Sequence, residues 1–244
     1  MNQDLKSIML SYIAGLLTSG TVAFISRKCN SFEECIMALK ILVKARKEVR
    51  LSVSYLFRIE IENKYLLIKG NRIEQFQPVG GVYKAYRSAE GLFKKIEVKK
   101  DNGIDIDGAS ENDLRIKVKS KNVLSFIRWF KERKNREINV NREFYEELVV
   151  SNFIDKSVLE TFSPEYLKTV YTDLKYSTHF KCYEILIYDI FEIKLDSQYE
   201  EMLKNEINTK RGNLILATDD EIESENIKID GISKKIGEHS KYII

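Results

Sequence analysis

Residues Asn141 to Leu148 read NREFYEEL, and the fold of the chain turns on what this octapeptide is. On an α-helix, Glu143, Glu146 and Glu147 fall within about 100° of one another at 3.6 residues per turn. Three carboxylates on one helical face are a way to hold a divalent cation through oxygen ligands, and Arg142 stands where it could orient them. The same residues also make sense as scaffold, because Arg142 and Glu146 are four apart and can pair along the helix.

Working outward from the octapeptide, Val123 to Arg133 has the period of an amphipathic helix and carries the single tryptophan, Trp129. The spacing predicts a second helix over Asn141 to Val149. Further upstream, SVSYLFRIEI (52–61) and YLLIKGNRI (65–73) alternate as strands do, with a turn at Glu62-Asn63-Lys64. QPVGG (77–81) ends in a glycine pair, a place for tight turning or close ligand approach. Ile96 to Lys99 and Leu114 to Val118 read as a hairpin around Asp101-Asn102-Gly103. Downstream, His179 to Ile193 and Leu214 to Thr218 read as strands, and Ile232 to Ile243 as a closing helix. Helices and strands intermixed around one sheet predict an α+β fold.

Composition narrows the function classes. The chain has 244 residues, 43% hydrophobic and 32% charged, as a folded domain should. A net charge of +3 is too slight to argue for binding a nucleic-acid polymer. Cys29, Cys35 and Cys182 form neither a metal-ligand spacing nor a disulfide framework and read as reduced thiols. Two histidines, His179 and His239, leave little for a histidine-based metal site.

The N-terminus has a different character. Ser7 to Ser26, SIMLSYIAGLLTSGTVAFIS, carries no charge over about 20 residues, enough for a helix to cross the hydrocarbon core. A buried core helix and a cleaved signal peptide are the alternatives; Asp4 and Lys6 make a poor cationic start for the latter. Arg27, Lys28, Lys40, Lys44, Arg46, Lys47 and Arg50 follow the stretch and only Lys6 precedes it, which places the C-terminal domain in the cytoplasm of a single-pass membrane protein. Ser7, Ser11, Gly15, Ser19 and Ala23 recur every fourth residue, a spacing that lets helices associate into a homo-oligomer, unless it merely reflects a segment rich in small residues. Ser31-Phe-Glu-Glu34 is a capping box for an amphipathic linker helix whose stripe is Phe32, Cys35, Ile36, Leu39, Leu42 and Val43. The expected organisation is a transmembrane helix over 1–30, a linker over 31–50 and one domain over 51–244.

QPVGG and REFYEEL together resemble a split Nudix box, whose ordinary form runs G-x5-E-x7-R-E-U-x-E-E-x-G-U with U a bulky aliphatic; Phe144 stands at U. About 60 residues separate Gly81 from Arg142 where the uninterrupted box needs a dozen or so. With that insertion, FIRWFKERKNRE just before the box, and the later FKCYEILIYDIFEI and IGEHSKYII, the chain resembles the SMODS-associated NUDIX-like domain from about Leu51 to Ile244. The resemblance implies a Nudix-like mixed sheet with flanking helices and a large insertion. It also implies a role in bacterial cyclic-oligonucleotide-based anti-phage signalling (CBASS). There an effector senses a cyclic nucleotide second messenger, and one joined to a membrane span damages the lipid bilayer in abortive infection.

Two readings of the site follow. In a hydrolase, Glu143, Glu146 and Glu147 would hold Mg2+ against a diphosphate. Against this, the upstream glutamate has no counterpart: its slots hold Arg128 and Lys134, and Val149 replaces the box glycine. In a sensor no cofactor is needed; cations face phosphates while aromatic rings and amides take the bases. The candidates are Arg58, Asn71, Arg72, Gln75, Gln77, Gly80, Gly81 and Tyr83 near the glycine pair, with Phe180 and Tyr183 from the later strand. Each also has an ordinary reading as solvated strand or core.

Overall fold

A computed structural model describes residues 36–41, 48–70, 73–101, 112–209 and 212–244. The uncharged stretch at 7–26, with its small-residue ladder at Ser11, Gly15, Ser19 and Ala23, lies outside the described residues. Among those described, no helix is long and apolar enough to cross a membrane.

Strand β1 (Glu48–Ile61) is the spine. Its alternation sets two cores. Leu51, Val53, Tyr55, Phe57 and Ile59 go to one face, and Leu56 goes to the other. This is the period-2 geometry of a strand buried on both sides. β2 (Lys64–Lys69) returns from β1 through a two-residue turn, with Glu62 and Asn63 at φ 51° and 58°. Both residues lie in the left-handed region that such hairpins require. β3 (Phe76–Pro78) pairs with β2, and β4 (Gly80–Val82) pairs with the middle of β1.

Between β4 and the box segment lie helix α1 (Glu90–Lys95), strands β5 (Lys99–Lys100) and β6 (Arg115–Lys119), and helix α2 (Val123–Lys131). Of the anticipated Ile96–Lys99 strand only Lys99 pairs with β6, together with the next residue, Lys100. Ile96 instead closes α1, and Glu97 at φ 56° turns the chain. α2 buries Phe126, Ile127, Trp129 and Phe130 against the first core.

After the box come α4 (Val158–Thr161), β7 (Glu165–Tyr171), β8 (Lys175–Ser177) and β9 (Cys182–Ile193), the box helix itself being α3 (Asn141–Phe144) with its continuation. β9 runs parallel to β1 from Val49↔Tyr183 to Ile59↔Ile193 and is flanked by β7 and β8 on its other side. Helix α5 (Ser197–Asn208) leads to β10 (Leu214–Ala217), which extends the sheet beyond β2. The result is a mixed α+β fold whose large sheet carries ten strands among the described residues.

The closing segment is not a helix. Helix α6 (Asp219–Glu223) is followed by a hairpin of β11 (Asn226–Ile229) and β12 (Ile232–Lys235), then a 3-10 turn over Glu238–Tyr242. Ile232 and Ile236 have helical spacing, but Asp230 and Gly231 sit at φ 49° and 79°. An Asp-Gly pair in that conformation makes a tight hairpin turn and overrides the weaker periodic signal.

The described part of the N-terminal region is a helical turn at 36–41; the rest of the anticipated linker helix before β1 lies outside the described residues. It packs on the domain: Ile41 is 2% exposed in the first core, and Lys40 Nζ lies 2.5 Å from Asp173.

Candidate functional site

The box helix is held by its apolar residues. Phe144 is fully buried, edge-on to Phe57 at 6.0 Å and against Phe162 at 4.3 Å, and Leu148 is buried beside it. An aromatic ring thus fills the position where a bulky aliphatic residue was anticipated. The continuation of α3, Tyr145–Val149, is a π turn rather than an α turn. π turns inside helices are uncommon and often mark functional positions. The 3.6-residue spacing applied to Glu143, Glu146 and Glu147 therefore does not hold across the segment.

Two of the three carboxylates face β4. Gly80 N–H donates to Glu147 Oε2 at 3.0 Å. A Cβ on Gly81 would lie 2.1 Å from Glu143 Cδ, so the glycine exists to admit that side chain. At Gly80 a Cβ would lie 2.3 Å from the Tyr55 carbonyl oxygen. The glycine pair is thus filled by the protein's own glutamates and backbone.

Arg142 completes the seam between helix and strand. Its Nη2 donates to Val82 O at 3.0 Å and its Nε to Glu137 Oε1 at 3.0 Å, while Nη1 bonds Glu143 and stands 3.6 Å from Glu146. Glu137 also accepts from Lys84 N–H at 3.1 Å. The anticipated Arg142–Glu146 pair is present, but Glu137 and Glu143 are the nearer partners. Sequence reasoning passed over Glu137; its proximity to the box arginine was the available signal.

The carboxylates shape an acidic cleft of about 450 Å³, lined by Glu143, Glu146 and Glu147 with Lys69, Ser151 and Asn213. Burial, and then the neighbouring charges of Glu143 and Glu146, push Glu147 up to about 8 despite the Gly80 hydrogen bond. Burial raises Glu143 as well, against the opposing pull of Arg142.

These residues do not fit a Mg2+ site. Glu143 is paired with Arg142, and Glu147 accepts a backbone N–H from Gly80 while burial disfavours its charged form. Among the described residues no three His, Cys, Asp or Glu side chains are gathered to hold a metal ion. A hard divalent cation needs several free oxygen ligands at once.

The other nominated residues are spread over the sheet. Tyr83 is 1% exposed; its hydroxyl donates to Asp189 at 2.9 Å and its ring packs on Tyr55 and Phe130. It is core. Arg58 shares its charge among Glu60 at 2.8 Å, Glu192 at 3.8 Å and the Tyr65 hydroxyl at 3.3 Å. Phe180 covers the Arg50 guanidinium at 3.8 Å, and Arg50 in turn is buried between Asp101 and Glu184. Tyr183 packs edge-on to Tyr176. Tyr183 pairs with Val49 and Gly81 with Tyr55, six residues apart along β1, or about 20 Å at strand rise. Gln77, half-buried on β3, and Gln75 are near the glycine pair in sequence. Asn71 and Arg72 lie outside the described residues. The structure therefore brings together Gly80, Gly81, Glu143 and Glu147, and leaves Phe180 and Tyr183 at the other end of the sheet.

With this geometry in view, comparison with known families gives a match to the SMODS-associated NUDIX domain over residues 48–244. Neither the curated proteins nor the solved structures compared with the chain give a match.

Proposed function

This chain belongs to the SMODS-associated NUDIX family, and from that premise we propose that it is a bacterial anti-phage effector. In this reading the degenerate Nudix domain senses a cyclic oligonucleotide second messenger, and the N-terminal stretch disrupts the inner membrane. The observation that carries it is the seam between the box helix and β4. Glu147 on Gly80, Glu143 against Gly81 and Arg142 on Val82 turn the hydrolytic carboxylates into structural parts.

The mechanism needs a path from domain to membrane. The uncharged stretch at 7–26 spans the bilayer with the domain on the cytoplasmic side, and its small-residue face associates with that of other subunits. The turn at 36–41 is packed on the domain through Ile41 and Lys40, so a change in domain packing or self-association moves the chain leading to the span. The ligand must favour the assembled state. Moving an equilibrium from 1:99 to 99:1 takes about a 10⁴-fold difference in affinity between states.

The test is dye release from vesicles carrying the whole protein. Adding cyclic di- and trinucleotides one at a time should give leakage with at least one that binds. Measured binding without leakage for every one of them refutes the membrane step; binding by none refutes the sensor.

A further inference from the structure

The outer flank of the box helix carries a second cleft, of about 420 Å³, bounded by Tyr86 and Tyr145. Tyr86 is 52% and Tyr145 37% exposed, in a chain that buries Tyr55 and Tyr83 to 1% or less. Tyr145 is also the first residue of the π turn. Two asparagines share the cleft. Asn139 Oδ1 accepts the backbone N–H of Asn141 at 2.8 Å, which leaves the Asn139 amide nitrogen as a donor. The charged groups in the floor, Glu137 and Arg142, neutralise one another at 3.0 Å.

The rim is basic. Tyr86 N–H donates to Asn135 O at 2.9 Å, joining two loops whose neighbours are Arg87 on one side and Arg133 and Lys134 on the other. All three are exposed, Arg87 with 95% of its side chain free of protein and its carboxylate neighbour Glu90 3.7 Å away.

We propose that the Tyr86–Tyr145 cleft is a nucleobase subsite. A flat heteroaromatic ring stacks on the exposed tyrosines, Asn139 and Asn141 meet its hydrogen-bonding edge, and the attached phosphate faces Arg87 and Lys134. Rings of this kind stack on any base, and the amides add selectivity through donors and acceptors. The assignment rests on the sensor reading above and names the part of the domain that touches the base.

The test is calorimetric titration of the whole chain in nanodiscs with cyclic di- and trinucleotides of adenine and uracil, and with AMP and NAD. Tyr86→Ala and Tyr145→Ala should each weaken the tightest cyclic probe at least about tenfold, while Tyr86→Phe and Tyr145→Phe stay within about threefold. Melting curves unchanged by the alanine variants exclude unfolding as the cause. Cyclic-probe binding untouched by both alanine variants overturns the subsite and leaves the sensor standing. Binding only of AMP or NAD, lost in Tyr145→Ala, keeps the subsite and overturns the sensor. Binding of no probe overturns both.

Discussion

The inner and outer flanks of the box helix share a few turns of backbone and end in opposite states. On the inner flank Glu143 and Glu147 are sewn to β4 through Gly81 and Gly80, while Arg142, bonded to Val82 O, also floors the outer cleft. On the outer flank Tyr145 faces an open cleft with Tyr86 across it. Carboxylates in a true hydrolase have to stay free for metal and water; here they are packing elements. The difference teaches that the chemistry of this segment follows from what surrounds each side chain, and that the residues best placed to meet a ligand are not those the box highlights. Substitutions on the inner flank should cost stability, and those on the outer flank should cost binding alone.

The largest effect is expected at Gly80. Its Cβ would stand 2.3 Å from Tyr55 O and 3.0 Å from Leu56 Cα, both backbone atoms of the central strand. Gly80→Ala should destabilise by about 3 kcal/mol or more, lowering the melting temperature by roughly 6–12 °C in calorimetry. At Gly81 the obstacle is the Glu143 side chain, which can swing aside, so Gly81→Ala should cost about 1–2 kcal/mol. Gly81→Ala with Glu143→Ala should cost less than the sum of the two, because the clash is between those groups. A fully additive double variant would mean that Glu143 is not what the glycine accommodates.

Glu147 comes next and adds a pH dependence. Its carboxyl ionises near 4.5 when unfolded and is pushed up to about 8 by burial when folded. Between those values the folded state binds the extra proton, so stability falls as pH rises from about 4.5 to about 8 and is level above. Glu147→Gln keeps an acceptor for Gly80 N–H without the charge. It should flatten this slope and, at pH 9, exceed the wild type by on the order of 2 kcal/mol in urea unfolding. Glu147→Ala also loses the acceptor and should be less stable than Glu147→Gln at every pH. A wild-type curve that rises with pH over this range would show the carboxylate to be ionised and open the inner cleft to cations again.

That cleft gives a direct comparison with hydrolase behaviour. With Glu143 paired to Arg142 and Glu147 bonded to Gly80 N–H, Mg2+ at millimolar concentration should shift the melting temperature by less than about 1 °C at pH 7, since only a ligand bound to the folded state stabilises it. A rise of several degrees that Glu146→Gln and Glu147→Gln abolish would favour a membrane-tethered Mg-dependent Nudix hydrolase.

The fold was legible where one physical signal dominated. β1, β2 and β9 are runs rich in aliphatic and aromatic residues and were readable, as was the turn at Glu62–Asn63 and the amphipathic α2. β7 was not, because four of its seven residues are exposed and its order comes from pairing with β9. β12 was lost to a helical spacing that an Asp-Gly turn overrides. In the site, the glycine pair and the glutamates were visible as types, and their contact across 60-odd residues of insertion was not. Tyr145 lay inside the quoted octapeptide, an aromatic among charges; only the π turn and the loop carrying Tyr86 make it the wall of a cleft.

The smallest stability effect is expected on the outer flank, and its smallness is what makes the comparison decisive. Tyr86 and Tyr145 are 52% and 37% exposed, so truncation removes partly covered rings and leaves no enclosed core cavity. Each alanine variant should stay within about 1 kcal/mol of the wild type in urea unfolding, against about 3 kcal/mol for Gly80→Ala. If both flanks support the fold equally, the tyrosine variants will instead fall by 2 kcal/mol or so, as buried aromatics do on truncation. The flanks would then be one packed unit, and the division between a structural inner face and a ligand-facing outer face would be gone.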